Sequence, residues 1–158
     1  MTDVVNRETR SRMMSGIQGK NTKPEQIVRR ALFAAGFRFR LHRRDLPGIP
    51  DVVLPGRRVV IFVHGCFWHR HQECGNANLP STHSDFWREK LDGNALRDQK
   101  NVAALLELGW RVLIVWECAT RKNAPRLPEA LAAWIQGNQV LGELVGTPKV
   151  PVDQTEIF

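Results

Sequence analysis

Metal-binding and aromatic side chains are concentrated in one short stretch, HGCFWHRHQEC, which runs from His64 to Cys74. It directly follows the apolar run VVIFV and contains three histidines, two cysteines, a Phe and a Trp. The third cysteine of the chain, Cys118, follows a second apolar run, RVLIVW. Thiolates and imidazoles are the ligands that zinc prefers, usually four of them in a tetrahedron. A zinc site is therefore expected if the fold brings Cys118 to this stretch.

Four side chains form the predicted zinc site: Cys66, His71, Cys74 and Cys118. His69 is the alternative for the nitrogen ligand, and simple burial of the cysteines as small apolar residues is the alternative to metal binding. The odd number of cysteines argues against a disulfide framework. Because four protein ligands leave no position for water, this zinc is expected to be structural rather than catalytic.

A second kind of chemistry is indicated by Asp51 in PGIPD, at the head of a predicted strand. The next strand ends at His64, so that a carboxylate and an imidazole are expected on adjacent strands. Mg²⁺ takes oxygen ligands, and phosphodiester hydrolysis needs a proton-transfer group near the scissile phosphate. Asp51 suits the first role, and His64 or His69 the second. A Pro-Asp pair by itself is more often only part of a turn.

Positive charge is high for a chain of 158 residues, with a net charge of +7. The basic residues cluster within 7–30 and again within 38–44. Solubility alone could explain the charge, but the clustering favours a polyanion such as nucleic acid. The sequence contains no apolar run long enough to span a membrane, and its first residues lack the apolar core of a secretory signal, so a cytoplasmic protein is expected.

The pattern of the remaining sequence predicts alternating helices and strands. Thr22 and Glu25 fit a helix capping box, and Gly36 is a natural stop for that helix. Strands are predicted for FRFRLHR, DVVL, RVVIFVH and WRVLIVWEC, with Pro55-Gly56 as the turn between the second and the third. Helices are predicted near Ser84, from about Asn94 to Leu108, and for LPEALAAWIQG.

This order predicts an α/β fold with a mixed central sheet flanked by helices. If strands 58–64 and 110–117 are parallel neighbours, their carboxyl ends lie together, and Cys66 comes within reach of Cys118. Trp110, Trp116 and Trp134 are interpreted as core residues. The chain is divided into a basic, DNA-contacting arm (1–20), a catalytic domain (21–137) and a tail without a predicted element (138–158).

Three blocks, LPGIPDVVLP, VVIFVHGCFWHRH and LGWRVLIVWEC, resemble the very short patch repair (Vsr) DNA mismatch endonucleases. ETRSRMM and FWREKL are also similar, and the resemblance covers roughly residues 7 to 137. It implies a core like that of type II restriction endonucleases. It also implies Mg²⁺-dependent nicking of one strand 5′ of the mispaired T at a T·G mismatch. The implied partner is double-stranded DNA with such a mismatch.

The resemblance further implies roles for single residues. Asp51 matches the metal-binding aspartate, and Glu25 matches a glutamate near the metals. Where restriction enzymes carry a second carboxylate this chain has Phe62, so that the backbone carbonyl of Val63 is the candidate for a further magnesium ligand. The cysteines and His71 named above match the family's structural zinc ligands.

His64 and His69 match the two active-site histidines of the family. We expect His69 to transfer a proton and His64 to assist. Asp98 in ALRDQKN matches an acidic residue that supports a histidine, and it is expected to orient His64.

The resemblance also implies which residues contact DNA. Phe67, Trp68 and Trp87 would wedge into the duplex beside the mismatch, with Met14 entering from the minor groove. A wobble pair stacks poorly, so opening it costs less than opening a normal step. The alternative is that these aromatic residues belong to the core. Phosphates would be bound by the basic arm and by the arginines of strand 37–43, the arm contributing Arg10 and Arg12.

Two other functions remain open at this point. One is a zinc-stabilised DNA-binding module without catalysis, and the other is a restriction-type endonuclease that cuts both strands of matched DNA. We expect a monomer, with repair proteins as possible further partners.

Overall fold

The computed structural model describes residues 22–69, 82–122 and 124–146. The arm and two of the predicted zinc ligands, His71 and Cys74, lie outside this part of the chain. The helices are α1 (Lys23–Ala34), α2 (Ser84–Glu107), α3 (Glu117–Lys122) and α4 (Leu127–Gln136). The strands are β1 (Arg40–Leu41), β2 (Val52–Leu54), β3 (Val59–His64), β4 (Arg111–Trp116) and β5 (Leu141–Leu144). Short 3-10 turns cover Pro55–Arg57 and Ala124–Arg126.

The five strands form one mixed sheet in the order β1-β2-β3-β4-β5. The first two pairings are antiparallel, and the pairings of β3 with β4 and of β4 with β5 are parallel. β3 and β4 are paired from Val59 with Arg111 to His64 with Trp116, so their carboxyl ends lie side by side. This confirms the predicted mixed sheet and the predicted neighbouring strands.

Helices cover both faces of the sheet, which is why β3 and β4 read as continuous apolar runs. One face packs Ile61 and Leu113 against α1 and α4, including Leu32 and Leu131. The other face packs Val60 and its neighbours against Leu105 of α2. Alternate residues of each strand thus enter two separate cores. The tryptophans predicted as core, Trp110, Trp116 and Trp134, are all buried.

The structure differs from the predicted elements in the region of α2. The sequence analysis placed one helix near Ser84 and another from about Asn94, whereas α2 is a single helix of 24 residues. Gly93 does not interrupt it, because one glycine costs only about 1 kcal/mol in a helix that is otherwise stabilised by packing. Leu91 and Leu105, one on each side of Gly93, are both fully buried.

Two strands also differ from expectation. β1 comprises only Arg40–Leu41 of the predicted strand 37–43, and the strand ends where His42 adopts a positive φ of 48°. Arg38 and Arg40 are exposed, as predicted. In the segment predicted to lack an element, β5 adds a strand to the sheet, because its pairing partner β4 supplies an open edge. None of the described helices has the length and apolar character needed to cross a membrane.

Candidate active site

An open cleft of about 920 Å³ lies at the carboxyl end of β3, between the start of α1 and one side of α2. The catalytic residues predicted from the sequence all line it: Glu25, Asp51, His64, His69 and Asp98. Val63 lines it as well. The fold therefore brings together residues from two helices, from β3 and the turn that follows it, and from the position directly before β2.

Two carboxylates and an imidazole meet on one side of the cleft; we call Glu25, His42 and Asp51 the acidic group. His42 Nε2 lies 3.3 Å from Glu25 Oε2 and 4.0 Å from Asp51 Oδ1. Arg29, one turn after Glu25 on α1, donates to the same Glu25 oxygen at 3.0 Å. The three ligand atoms lie within 4.8 Å of one another, close enough to hold a metal ion.

The environment of Asp51 is unfavourable for a bare negative charge. Burial, with the nearby charge of Glu25, raises its pKa to about 7, although the Val63 N–H and the charge of His69 act in the opposite direction. Val63 N donates to Asp51 Oδ2 at 2.7 Å and fixes the orientation of the carboxylate. A cation bound here would remove the electrostatic cost, so the site suits a positively charged ligand.

A pair of stacked histidines occupies the other side of the cleft. The rings of His64 and His69 lie 3.8 Å apart and are nearly parallel, with an interplanar angle of 5°. Asp98 Oδ2 lies 2.5 Å from His69 Nδ1. The prediction that Asp98 orients His64 is therefore corrected: its carboxylate pairs with His69, because the turn after β3 places that ring towards α2.

The two histidines differ in their burial and in their hydrogen-bond partners. Burial, with the adjacent His69, lowers the pKa of His64 to about 3. Among the described residues, its Nδ1 is buried and has no hydrogen-bond partner. The side chain of His69 is 27% exposed and reaches the cleft. His69 can thus exchange a proton through Nε2 while Asp98 holds Nδ1, and His64 is suited to stay neutral.

Beside the histidines lies an aromatic cluster of Phe67, Trp68 and Trp87. The Phe67 ring centroid lies 5.3 Å from that of Trp68 and 5.7 Å from that of Trp87. All three side chains are half-buried, and the Lys90 amine lies 5.8 Å above each indole ring. The cluster is neither part of the two cores nor fully exposed, and it borders the cleft through Phe67 and Trp68.

One face of α2 forms a wall of the cleft, through Lys90, Asn94, Asp98 and Asn101. Asn94 Nδ2 donates to the Trp68 carbonyl oxygen at 3.2 Å, so the helix also supports the turn that carries the aromatic residues. Sequence analysis identified Asp98 alone on this face. The other three residues are spaced three or four positions from one another or from Asp98, which indicates one face of a helix. The sequence analysis did not recognise this face because it divided the helix near Asn94.

His42 was also missed by the sequence analysis. It follows the alternating FRFRLH pattern, and its N–H donates to the Asp51 carbonyl at 3.2 Å, opposite the predicted aspartate. Extending the antiparallel pairing of the first two strands by one residue would have placed His42 opposite Asp51. The pairing alone did not show that the ring turns towards Glu25.

Two of the predicted zinc ligands lie in the described part of the chain. Cys66 and Cys118 follow β3 and β4 by two residues each, and both are buried in the same apolar cluster. The Gly146 N–H donates to Cys118 Sγ at 3.2 Å. The expected convergence of the two strand ends is confirmed. The other two ligands, His71 and Cys74, fall outside the described residues.

Comparison with known proteins agrees with this geometry. Residues 2–75 match the family model described as DNA mismatch endonuclease Vsr. The type II nicking enzyme V.XorIIP of Xanthomonas oryzae pv. oryzae is 52% identical over 118 residues, which are 75% of this chain and 86% of that protein. The DNA mismatch endonuclease Vsr of Escherichia coli is 44% identical over 141 residues, 87% of this chain and 90% of that protein. The chain therefore belongs to the Vsr family of DNA mismatch endonucleases, and it is a DNA endonuclease.

Proposed function

We propose that this endonuclease nicks one strand of double-stranded DNA 5′ of the mispaired T at a T·G mismatch, using Mg²⁺. One observation carries the proposal: the acidic group around Asp51 faces the His69–Asp98 pair across a single cleft, with the aromatic cluster at its border. The E. coli relative is a mismatch endonuclease by name, and the Xanthomonas relative is a nicking enzyme by name. Cleavage of a single strand fits both.

Asp51 and the Val63 carbonyl are the proposed magnesium ligands. Continuing the register of β2 and β3 by two residues from the Val52–Ile61 pair places Pro50 opposite Val63. Within a strand the N–H and C=O of one residue point to the same side, so the Val63 carbonyl faces β2, as its N–H does. Proline has no N–H to donate to this carbonyl. The Val63 carbonyl oxygen therefore receives no hydrogen bond from Pro50 and lies beside the Asp51 carboxylate. Mg²⁺ takes oxygen ligands of both kinds.

When bound, Mg²⁺ supplies positive charge that stabilises the developing charge on the scissile phosphate. The residues of the chain provide the rest. Glu25 and His42 hold the Asp51 side of the cleft, and Arg29 balances the charge of Glu25. His69 transfers a proton at Nε2, and Asp98 orients its ring. His64 stacks under His69 and keeps it in place.

The aromatic cluster is proposed to enter the duplex at the mismatch. Phe67, Trp68 and Trp87 form a rigid apolar edge, because their rings contact one another and α2 supports the turn. Such wedges unstack base steps at a cost of a few kcal/mol, and a wobble pair lowers that cost. The proposal assigns Met14, Arg10 and Arg12 of the arm (1–20) to DNA as well. The catalytic domain is proposed to comprise 21–137 together with β5 of the tail (138–158), because β5 belongs to the same sheet.

A structural zinc bound by Cys66, His71, Cys74 and Cys118 is part of the proposal. It is supported by the two buried cysteines at neighbouring strand ends and by the N–H that Cys118 accepts. Thiolate ligands favour zinc over Mg²⁺, which separates this site chemically from the acidic group. Its role would be to hold the turn that carries Phe67 and Trp68.

Strand-resolved cleavage of end-labelled duplexes tests the proposed function. The substrates are matched DNA and a panel of single mismatches in varied flanking contexts, with and without Mg²⁺. The expected result is a nick 5′ of the T in T·G duplexes only, and only with Mg²⁺. Double-strand breaks in matched DNA would instead support a restriction-type endonuclease and end the proposal.

A further inference from the structure

A turn beside Asp51 holds Ile49 in a backbone conformation that a β-branched residue rarely adopts. The Ile49 N–H donates to the Leu46 carbonyl at 3.1 Å, across Pro47 and Gly48. Proline followed by a glycine with a φ of 74° is the pattern of a type II turn. Ile49 then has a φ of 48° and directly precedes Pro50. This left-handed conformation is strained for isoleucine, and the following proline restricts the backbone further.

Contacts on both sides hold this strained turn in place. Leu46 is buried in the sheet face that packs under α2. Gly48 lies so close to α2 that a Cβ at its position would meet the Cβ of Asn101 at 3.0 Å. Pro50 is buried too. Strained residues persist only where their surroundings determine the backbone, and such positions cluster at functional sites.

The side chain of Ile49 does not contribute to a core. It is 47% exposed, and it lines the cleft two residues before Asp51. An aliphatic side chain left in water gains little from the hydrophobic effect. Glycine or asparagine would suit the left-handed backbone better. Backbone preference therefore does not explain an isoleucine here, and its side chain adds apolar surface to the wall of the cleft.

Ile49 and the aromatic cluster lie at different positions along α2. Trp87 belongs to the cluster, and Asn101 touches Gly48, the residue before Ile49. These two helix residues are separated by about 21 Å along the axis, the length of about six base-pair steps. Asp98, which holds His69, comes between them in the helix.

We propose that Ile49 makes an apolar contact with the bound duplex on the side of the scissile phosphate away from the aromatic cluster. DNA offers two apolar surfaces to such a side chain, the thymine methyl group and the deoxyribose. Contact with a methyl group makes Ile49 a determinant of the flanking sequence. Contact with a sugar supports binding of every sequence. The inference rests on the proposed function in one respect, which is that this cleft holds the DNA.

Three substitutions separate the side chain from its backbone. Ile49→Asn and Ile49→Gly suit the left-handed conformation and remove the apolar surface, and Ile49→Leu keeps that surface. On a T·G duplex with Mg²⁺, the first two are expected to raise KM about tenfold, the effect of losing one aliphatic contact. The KM of Ile49→Leu is expected to stay within about threefold of that of the parent. The control is Phe33→Ala on α1, a residue that is 80% exposed outside the cleft and should leave KM unchanged.

KM values equal to that of the parent for both Ile49→Asn and Ile49→Gly would overturn the proposal. A rise in KM for Ile49→Leu as large as that for Ile49→Asn would overturn it as well, since the apolar surface of the side chain would then not contribute to binding. A marked fall in the melting temperature of Ile49→Asn would assign the side chain to folding, with the same consequence. Deoxyuridine in place of single flanking thymines distinguishes the two contacts, because only a methyl contact loses affinity. If the parent does not nick T·G duplexes, the proposed function fails, and equilibrium DNA binding by the same variants still decides the role of Ile49.

Discussion

At the scale of single residues, the site is built around the carboxylate of Asp51, whose surroundings are unfavourable for a negative charge. Asp51 is buried beside Glu25, and its pKa is raised to about 7. Its folded-state pKa thus exceeds its ordinary value of 3.8, so the folded protein holds this proton more tightly than the unfolded chain does. The free energy of unfolding is consequently reduced as the pH rises from about 4 through 7, and the reduction persists above that range.

Asp51→Asn is therefore expected to raise the melting temperature in buffer without Mg²⁺, and to raise it more at pH 8 than at pH 5. The amide keeps the hydrogen bond from the Val63 N–H and removes the ionisable group. Asp45→Asn is the control, because the hydrogen bond from Arg43 lowers the pKa of that exposed carboxyl, so the same change there should not stabilise. Thermal melts of both variants at the two pH values provide the measurement. Equal melting temperatures for Asp51→Asn and the parent at pH 8 would contradict the account.

The pairing of Asp98 with His69 gives a second prediction at this scale. His69→Ala is expected to lower kcat by about 10²- to 10⁴-fold, the usual contribution of a general acid or base. Asp98→Asn keeps the shape but loses the charge that orients the ring, and it should lower kcat about 10- to 100-fold with little change in KM.

Single-turnover nicking by the two single variants and the double variant measures this coupling. Because Asp98 acts through His69, the double variant should be no slower than His69→Ala alone. Fully additive losses would show that Asp98 acts independently of the histidine.

Single site residues were predicted correctly from the sequence where a residue type suited to catalysis lies next to a predicted strand. Asp51 directly precedes β2, His64 ends β3 and His69 lies in the turn that follows, and the fold brings them into one cleft with Glu25. The predicted partner of Asp98 was wrong, because sequence positions do not show whether the ring of His64 or that of His69 faces α2. His42 was missed because its orientation depends on a left-handed backbone.

At the scale of elements, α2 is the part that links the separate pieces of the site. Its successive turns contact the Trp68 backbone, the His69 ring and the Gly48 turn. Sequence patterns predicted β3 and β4 well, because strands buried on both faces show unbroken apolar runs. They failed near Asn94, where the sequence analysis began a second helix, because packing of the turns on both sides of Gly93 keeps the helix continuous.

Gly93→Ala tests this continuity. A Cβ at Gly93 would meet Arg97 at 3.6 Å, an ordinary contact, and alanine is more favourable than glycine within a helix by about 0.5–1 kcal/mol. The melting temperature should rise by about 1–4 °C, with no change in nicking.

Gly142→Ala in β5 is the comparison variant, and it is expected to lower the melting temperature, since the added Cβ would collide with the Trp134 indole. Stabilisation by Gly93→Ala together with destabilisation by Gly142→Ala is the expected pattern. A lower melting temperature for Gly93→Ala would show that the helix is not regular at that position.

At the scale of the whole molecule, one end of the sheet carries both the candidate catalytic cleft and the predicted zinc site. His64 ends β3 inside the cleft, and Cys66 follows it into the apolar cluster that contains Cys118. β5, which the sequence did not indicate, reaches this region too, because Gly146 follows it and donates to Cys118 Sγ. Its short, partly exposed pattern explains why hydrophobic periodicity gave no signal.

Removal of zinc is thus expected to affect the entire fold and not only catalysis. A strong zinc chelator, or Cys118→Ala, should lower the melting temperature and release about one zinc ion per chain, because structural zinc contributes directly to folding. Metal analysis combined with thermal melts measures both effects. A protein that contains no zinc as purified, and melts identically with and without chelator, would refute the site.

The central proposal is that Asp51 and its neighbours perform the chemistry, while other residues in and around the cleft bind the DNA. Binding and nicking of the same T·G duplex by Asp51→Asn, compared with the parent at a fixed salt concentration and saturating Mg²⁺, test it most directly. The account predicts that the variant still binds the duplex with an affinity close to that of the parent and produces no nick. Nicking by Asp51→Asn at the parental rate would contradict it.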